Sequence, residues 1–156
     1  MSAVLNIAED MHGVNGWFCY HNWHGAVIMG FLFSPRSEEF LQDIDPDLCR
    51  VARRALAISR LDFAIISGKR DMAEQRRLVR SGASQTLHSR HLTGHAIDVV
   101  PLDPKTGKGR FSRALALEVA AAFYAAGQDC DVPITWGGMW SQFEDTPHFE
   151  IPIRGH

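Results

Sequence analysis

The chain has 156 residues, of which 46% are hydrophobic and 22% are charged, a composition that is typical of one folded globular domain. This composition excludes wholly disordered, collagen-like and low-complexity classes, and the length leaves little room for a second domain. The formal net charge of −2 provides no basic field of the kind that attracts a phosphate backbone, so we expect no nucleic-acid partner.

Signals for a particular compartment are weak. The three cysteines form no Cys-x-x-Cys pair, which is typical of a reducing compartment and not of a disulfide framework or a zinc ribbon. The most apolar stretch, residues 17–33, has no basic segment before it, and it is interrupted by His21, Asn22 and His24. It therefore fits neither a secretory signal nor a transmembrane helix, and we expect no signal peptide and no stable membrane insertion.

The N-terminal part is interpreted separately from the rest. Convincing signals for helices and strands begin only at Ser34, and Met29 stands just before that point. We therefore interpret residues 1–28 as a poorly ordered N-terminal extension and place the functional domain at residues 29–156.

The first elements of this domain have clear boundaries. A short helical turn is expected after Ser37. Asp45 followed by Pro46 is typical of a helix cap with proline at the first helical position. The helix that follows has one apolar face, formed by residues three and four apart: Leu48, Val51, Ala52, Ala55 and Ile58. The apolar run at residues 63–66 then predicts a short buried strand.

A second helix and a second strand follow. Asp71 and Glu74 resemble a capping box that opens a helix through Arg80, and Gly82 is placed to end it. After a polar loop, the apolar run at residues 96–100 predicts another buried strand.

The last third of the chain completes the predicted fold. Ser112 is expected to cap a helix that extends to Gly127. Residues 134–136 and 148–151 predict the final strands. Helices and short strands without a regular βαβ alternation indicate the α+β class, with helices packed on one face of a small, mostly antiparallel sheet.

The residues that indicate chemistry lie in two short segments. Asp98 interrupts an apolar strand, where a carboxylate needs a cation or hydrogen-bond donors to offset its desolvation. His91 lies in the loop before that strand, and Gly94 permits a sharp turn between the two. His148 is a plausible third ligand. Two imidazoles and one carboxylate leave a fourth tetrahedral position for water, which is typical of a catalytic zinc site.

Other acidic and histidine residues lie near these segments. Asp145 lies three residues before His148 and can act on the water as a base without binding the metal itself. His91 and His95 are four apart, but Gly94 and the β-branched residues that follow disfavour the helix that a zincin pair requires. The roles of His95 and Glu150 stay open. A structural role is expected for the remaining histidines, which are His12, His21, His24, His88 and His156.

Three segments, SGKRDMAEQ, SRHLTGHAIDVVP and WGGMWSQFEDTPHFE, resemble the motifs of the zinc D-Ala-D-Ala carboxypeptidase and L-alanyl-D-glutamate endopeptidase family. This family includes bacteriophage endolysins, and the match runs in order over about residues 33–153. The resemblance implies the zinc peptidase fold shared by the DD-peptidases and the hedgehog domain. It also implies Zn2+ ligands at His91, Asp98 and His148, with Asp145 as the general base.

The resemblance implies further roles. Arg70 matches the arginine that stabilises the developing oxyanion. Gln75 and Ser89 match recurrent motif positions and are candidate substrate contacts. Trp140 either lines the substrate cleft or packs at its rim. Met139 departs from the family pattern, because related endolysins often carry an acidic residue there, so substrate contacts at this position are in doubt.

The function implied is hydrolysis of the stem peptide of bacterial peptidoglycan at the L-Ala-D-Glu bond by a single-domain, phage-type endolysin. Two alternatives stay open: a D-Ala-D-Ala carboxypeptidase and a non-catalytic, zinc-stabilised binding module. Asp145 and Arg70 favour an enzyme, because a binding module needs only the metal ligands. We expect a monomer that stays in the host cytoplasm until its release to the cell wall.

Overall fold

A computed structural model describes residues 17–21 and 27–152. These residues form four α-helices: α1 (Pro35–Leu41), α2 (Pro46–Ile58), α3 (Met72–Arg80) and α4 (Arg113–Cys130). They also form six strands: β1 (Trp17–His21), β2 (Val27–Phe31), β3 (Phe63–Ser67), β4 (Ala96–Pro101), β5 (Thr135–Trp136) and β6 (His148–Glu150). Two short 3-10 turns cover Arg90–Thr93 and Gly137–Met139.

The main sheet contains four strands in the spatial order β3-β4-β6-β5, and every neighbouring pair is antiparallel. Helices α2 and α4 pack against each other and contribute to the hydrophobic core beside the strands. The largest fully buried apolar side chains of this core are Leu48, Phe63, Ile65, Ile97, Phe123, Trp136 and Phe149. The predicted α+β class and the antiparallel sheet are confirmed.

The caps of α2 and α3 are as predicted. A carboxylate oxygen of Asp45 accepts hydrogen bonds from the N–H groups of Asp47 and Leu48, at 2.9 and 3.4 Å. Asp71 accepts a hydrogen bond from the N–H of Glu74 at 2.7 Å. These contacts satisfy N–H groups in the first helical turns, which lack partners inside the helix.

The end of α4 differs from the prediction. The helix continues past Gly127 to Cys130, and Asp131 ends it with a left-handed φ of 54°. Gly127 is needed there for close packing, because a Cβ atom on it would lie 2.7 Å from the carbonyl oxygen of Val132. At the other end, Ser112 occupies the cap position, but its side chain makes no capping hydrogen bond.

Two strands precede the first predicted element. β1 and β2 pair in antiparallel register, from Trp17 opposite Phe31 to His21 opposite Val27. The side chain of Phe31 packs against the core. The prediction that element signals begin at Ser34 therefore missed this hairpin. The boundary at residue 29 stays a prediction, and residues 1–16 and 22–26 of the proposed extension lie outside the described residues.

Two further observations concern thiols and membranes. Cys49 and Cys130 are free thiols and are both half-buried. Within the described parts of the chain, no helix is both long enough and apolar enough to cross a membrane.

Replacing Gly94 by alanine is expected to destabilise the fold more than the same change at Gly82. Both glycines have positive φ angles, 74° and 75°, so each alanine carries a similar strain of about 1 to 2 kcal/mol. Only at Gly94 would the new Cβ also meet an atom, the carbonyl oxygen of Asp43 at 2.8 Å. Denaturant unfolding of both variants tests this difference, and equal losses of unfolding free energy would contradict it.

Candidate active site

The pairing of three strands places three polar side chains in one row across the sheet. Ser67 of β3 lies opposite Asp98 of β4, and Asp98 lies opposite His148 of β6. Residues that pair directly across antiparallel strands point to the same face of the sheet. The neighbours of Asp98, Ile97 and Val99, are buried. A shift of the β3 register just before Ser67 brings that residue into the row.

His91 reaches the row from the 3-10 turn Arg90–Thr93, where the sequence predicts a loop. Ser89 caps this turn, because its hydroxyl oxygen accepts a hydrogen bond from the His91 N–H at 3.3 Å. Gly94 ends the turn in the left-handed conformation. The carbonyl oxygen of His91 accepts a hydrogen bond from the N–H of Arg70 at 3.0 Å. The imidazole is only 1% exposed and is held firmly at the end of the row.

One atom from each of three side chains converges on one point. Nε2 of His91 lies 3.2 Å from Oδ1 of Asp98 and 3.3 Å from Nδ1 of His148. The third side of this triangle, from Nδ1 of His148 to Oδ1 of Asp98, measures 3.4 Å. The three residues therefore form a group that could hold a metal ion. We call these three atoms the ligand triangle.

In each of the three side chains, the polar atom that is not part of the triangle contacts a neighbouring group. Nδ1 of His91 donates to the carbonyl oxygen of Gly68 at 2.6 Å. Nε2 of His148 lies 3.0 Å from a carboxylate oxygen of Glu150, to which it donates. Oδ2 of Asp98 pairs with the guanidinium of Arg70. These contacts orient the side chains so that one atom of each faces the centre.

The electrostatics of the site follow from this packing. Burial alone would raise the pKa of Asp98, but hydrogen bonds with His148 and His91 and the charge of Arg70 hold that pKa well below its usual range. Burial alone would lower the pKa of His148, but its bonds to Asp98 and Glu150 raise that pKa to about 9. His148 must therefore release a proton before Nδ1 can bind a metal ion.

Arg70 is a component of this site and not a surface residue. Its side chain is 13% exposed, and Nε donates to the hydroxyl oxygen of Ser67 at 3.0 Å while the guanidinium pairs with Asp98. The contacts with Ser67 and Asp98 therefore direct this side chain into the site. The arrangement places a permanent positive charge beside the ligand triangle.

Asp145 is brought to the site by the Gly137 turn. The N–H of Asp145 donates to the carbonyl oxygen of Gly137 at 3.0 Å, and the N–H of His148 donates to that of Asp145 at 3.2 Å. A side chain at position 137 would not fit, because its Cβ would lie 2.6 Å from the carbonyl oxygen of Asp145 and 3.1 Å from Cβ of His148. Burial, and then the nearby Asp98 carboxylate, raise the pKa of Asp145.

The ligand triangle and Asp145 line a cavity of about 770 Å³. The lining includes the polar residues Ser84, Gln85, Thr86 and Ser89, which we call the polar wall, and the apolar side chains of Met139, Trp140 and Phe143. The ring of Trp140 also packs against that of His148, with centroids 5.1 Å apart. Trp140 therefore both lines the cavity and contacts a histidine of the ligand triangle.

Gln75 is not among the residues that line the cavity. It is fully buried on α3, and its amide nitrogen donates to the hydroxyl of Ser84 at 2.9 Å and to the carbonyl oxygen of Thr86 at 2.7 Å. The structure thus places Gln75 behind the polar wall, where it holds the loop that forms this wall.

The remaining candidates are distributed as follows. His88 lines the cavity, although the sequence indicates only a structural role. His95 lies away from the triangle, with Nδ1 2.9 Å from the Thr93 hydroxyl and Nε2 3.5 Å from Asp45. Sequence reasoning did not identify Ser67 or the carbonyl of Gly68, because their roles depend on the strand register and the chain path.

Comparisons with known proteins identify a family and several relatives of this chain. The family described as phage L-alanyl-D-glutamate peptidase matches residues 29–152. The L-alanyl-D-glutamate peptidase of Escherichia phage T5 is 35% identical over 127 residues, which cover 79% of this chain and 90% of that relative. The solved structure of the Serratia marcescens L-Ala D-Glu endopeptidase ChiX has a TM-score of 0.72 and 43% identity, and the match covers 78% of this chain and 90% of that one.

The matched residues contain the whole ligand triangle, Asp145 and Arg70. The relatives named in these comparisons are peptidases, so the expectation of an enzyme is confirmed. The family resemblance indicated by the three sequence motifs is confirmed as well. The chain belongs to the phage L-alanyl-D-glutamate peptidase family.

Proposed function

We propose that this chain is a zinc-dependent peptidase that hydrolyses the L-Ala-D-Glu bond of the peptidoglycan stem peptide, as a phage-type endolysin that reaches the wall from the host cytoplasm. The ligand triangle is the observation that carries the choice of zinc. A tetrahedral zinc ion with bonds of about 2.0 to 2.2 Å spaces its ligand atoms about 3.3 to 3.6 Å apart. The three sides of the triangle measure 3.2, 3.3 and 3.4 Å.

The chemistry of the ligand atoms also fits zinc. His91, Asp98 and His148 provide two nitrogens and one oxygen, which is the donor set of many catalytic zinc sites. When bound, zinc polarises the scissile carbonyl and lowers the pKa of water towards neutrality. The hydrogen bonds to Gly68, Glu150 and Arg70 hold the ligands in place from behind.

Asp145 acts as the general base towards water and then as the general acid towards the leaving nitrogen. Its carboxylate lines the cavity beside the triangle, and its burial raises its pKa, which favours the uptake of a proton. It takes a proton from the attacking water as the water oxygen bonds to the carbonyl carbon of L-Ala. The same proton then passes to the nitrogen of D-Glu as the C–N bond breaks. The second proton of the water also ends on this nitrogen, so the products are an L-Ala carboxylate and a D-Glu ammonium group.

Arg70 stabilises negative charge that develops on the carbonyl oxygen. Its guanidinium lines the cavity beside Asp98 and keeps its charge at any working pH. A fixed cation at that place lowers the energy of the transition state more than that of the uncharged substrate.

Arg70→Ala is therefore expected to lower kcat by about 100 to 1,000-fold when zinc is saturating, by analogy with the loss of one oxyanion donor. Steady-state cleavage of purified peptidoglycan measures this effect. Arg76→Ala is the matched control, because Arg76 is an exposed arginine on α3, the helix that begins two residues after Arg70. A wild-type kcat in the folded Arg70 variant would contradict the assigned role.

The scissile bond is tested by mass analysis of the products from digested peptidoglycan. The proposal predicts free stem peptides that begin with D-Glu and glycan strands that end in L-Ala. Release of terminal D-Ala alone would instead assign a D,D-carboxypeptidase. Zinc binding without any cleavage would assign a binding module.

A chain shortened to begin at Met29 is expected to keep zinc and lytic activity. The ligand triangle and Asp145 all lie between residues 91 and 148, and the family match begins at residue 29. The shortening removes β1 and the start of β2. Measurement of the zinc content and the lytic activity of the folded short chain tests this prediction. A folded chain that no longer cleaves peptidoglycan would show that the removed residues serve the site.

A further inference from the structure

Glu150 lies behind one of the ligand histidines. It is two residues after His148 on β6, and its carboxylate oxygen lies 3.0 Å from Nε2 of His148. Residues two apart on a strand point to the same face of the sheet. The Glu150 side chain is 20% exposed, so this contact is largely shielded from water.

We propose that Glu150 is a positioning residue that fixes the His148 imidazole with its proton on Nε2 and thereby presents Nδ1 to the metal. This inference rests on the proposed function. A neutral imidazole carries one proton, and only the nitrogen without it can bind a metal ion. A carboxylate accepts hydrogen bonds and cannot donate them, so it holds the proton on the outer nitrogen.

The two ligand histidines differ in how they are oriented. Nδ1 of His91 donates to the backbone carbonyl of Gly68, a contact that uses no side-chain atom of residue 68. Nε2 of His148 donates to a side chain, so its orientation depends on the identity of residue 150. A carboxylate partner also increases the basicity of the ring more than a neutral carbonyl does, which strengthens the metal bond.

Glu150 is not placed as a fourth ligand in this arrangement. It contacts Nε2 of His148, whereas the ligand triangle uses Nδ1 on the other side of the same ring. Glu150 also lines the cavity, so contact with substrate is the competing role. The two roles differ in what they change, because a substrate contact affects KM and a positioning contact affects zinc affinity.

The test measures the zinc dissociation constant of the full chain by competition with a chelator. Glu150→Ala is expected to weaken zinc binding by about 10 to 100-fold, as is typical for an outer partner of a metal ligand. Glu150→Gln should lie between this variant and the wild type, because the amide oxygen can still accept the hydrogen bond without the charge. Glu118→Ala, which removes an exposed glutamate of α4, should bind zinc as the wild type does.

Two further readouts separate positioning from a general structural role. With zinc saturating, KM of Glu150→Ala should stay within about twofold of the wild type. The NMR signal of the His148 ring N–H should be protected from exchange in the wild type and in Glu150→Gln, and exchange faster in Glu150→Ala.

The outcomes are distinct. Wild-type zinc affinity in folded Glu150→Ala would overturn the positioning role, as would a raised KM with unchanged zinc affinity. If the wild type itself binds no zinc, the proposed function fails and this inference fails with it. If the wild type binds zinc and cleaves peptidoglycan, and the Glu150 variants bind zinc with the same affinity, the proposed function stands and this inference fails.

Discussion

Asp145→Asn is expected to lower kcat on peptidoglycan by at least 100-fold and to leave the zinc content unchanged. General-base catalysis typically contributes about 100 to 10,000-fold, and asparagine keeps the shape of the side chain without its basic carboxylate. Zinc should stay bound because Asp145 contributes none of the three atoms of the ligand triangle.

The experiment compares zinc content and cleavage rate in the same folded samples. Asp43→Asn is a matched control, because Asp43 is exposed and is not among the residues lining the cavity. A wild-type rate in zinc-loaded Asp145→Asn would show that another group moves the proton. Loss of zinc from this variant would show instead that Asp145 takes part in metal binding.

His91→Ala and His148→Ala are expected to lose both zinc and activity. Each change removes one nitrogen from the ligand triangle, and the two remaining ligand atoms are too few for a structured zinc site. The effect should extend to stability, because a ligand that binds only the folded state stabilises it by about 4 kcal/mol at 1,000 times its dissociation constant.

Thermal unfolding with and without added zinc measures this linkage. The wild type should unfold at a higher temperature with zinc, and the two histidine variants should show no such shift. His95→Ala provides the control, because its imidazole contacts Thr93 and Asp45 outside the triangle. A zinc-dependent shift of wild-type size in both ligand variants would contradict the assignment of the metal site.

Features with local sequence signals could be predicted. Asp45 and Asp71 identify helix starts because the cap bonds join residues two or three apart. Asp98 could be identified as a site residue because a carboxylate inside an apolar strand needs a compensating partner. The resemblance of three motifs then connected His91, Asp98 and His148, which lie up to 57 residues apart.

Features that depend on register or tertiary packing could not be predicted. Ser67 enters the row beside Asp98 only because the register of β3 shifts after Ile65. Gln75 has the polarity of a substrate contact, yet the packing of α3 buries it behind the cavity wall. Gly127 lies inside α4, where it packs closely against Val132, and a rule for terminal glycines does not predict this placement.

Reconstitution of the metal-free protein with zinc tests the central claim most directly. Release of stem peptides that begin with D-Glu should be absent without metal, rise with added zinc and level off at one zinc ion per chain. His148→Ala should give no release over the same range. Full cleavage by the metal-free protein, or equal rates in the wild type and His148→Ala, would contradict the account of a catalytic zinc held by His91, Asp98 and His148.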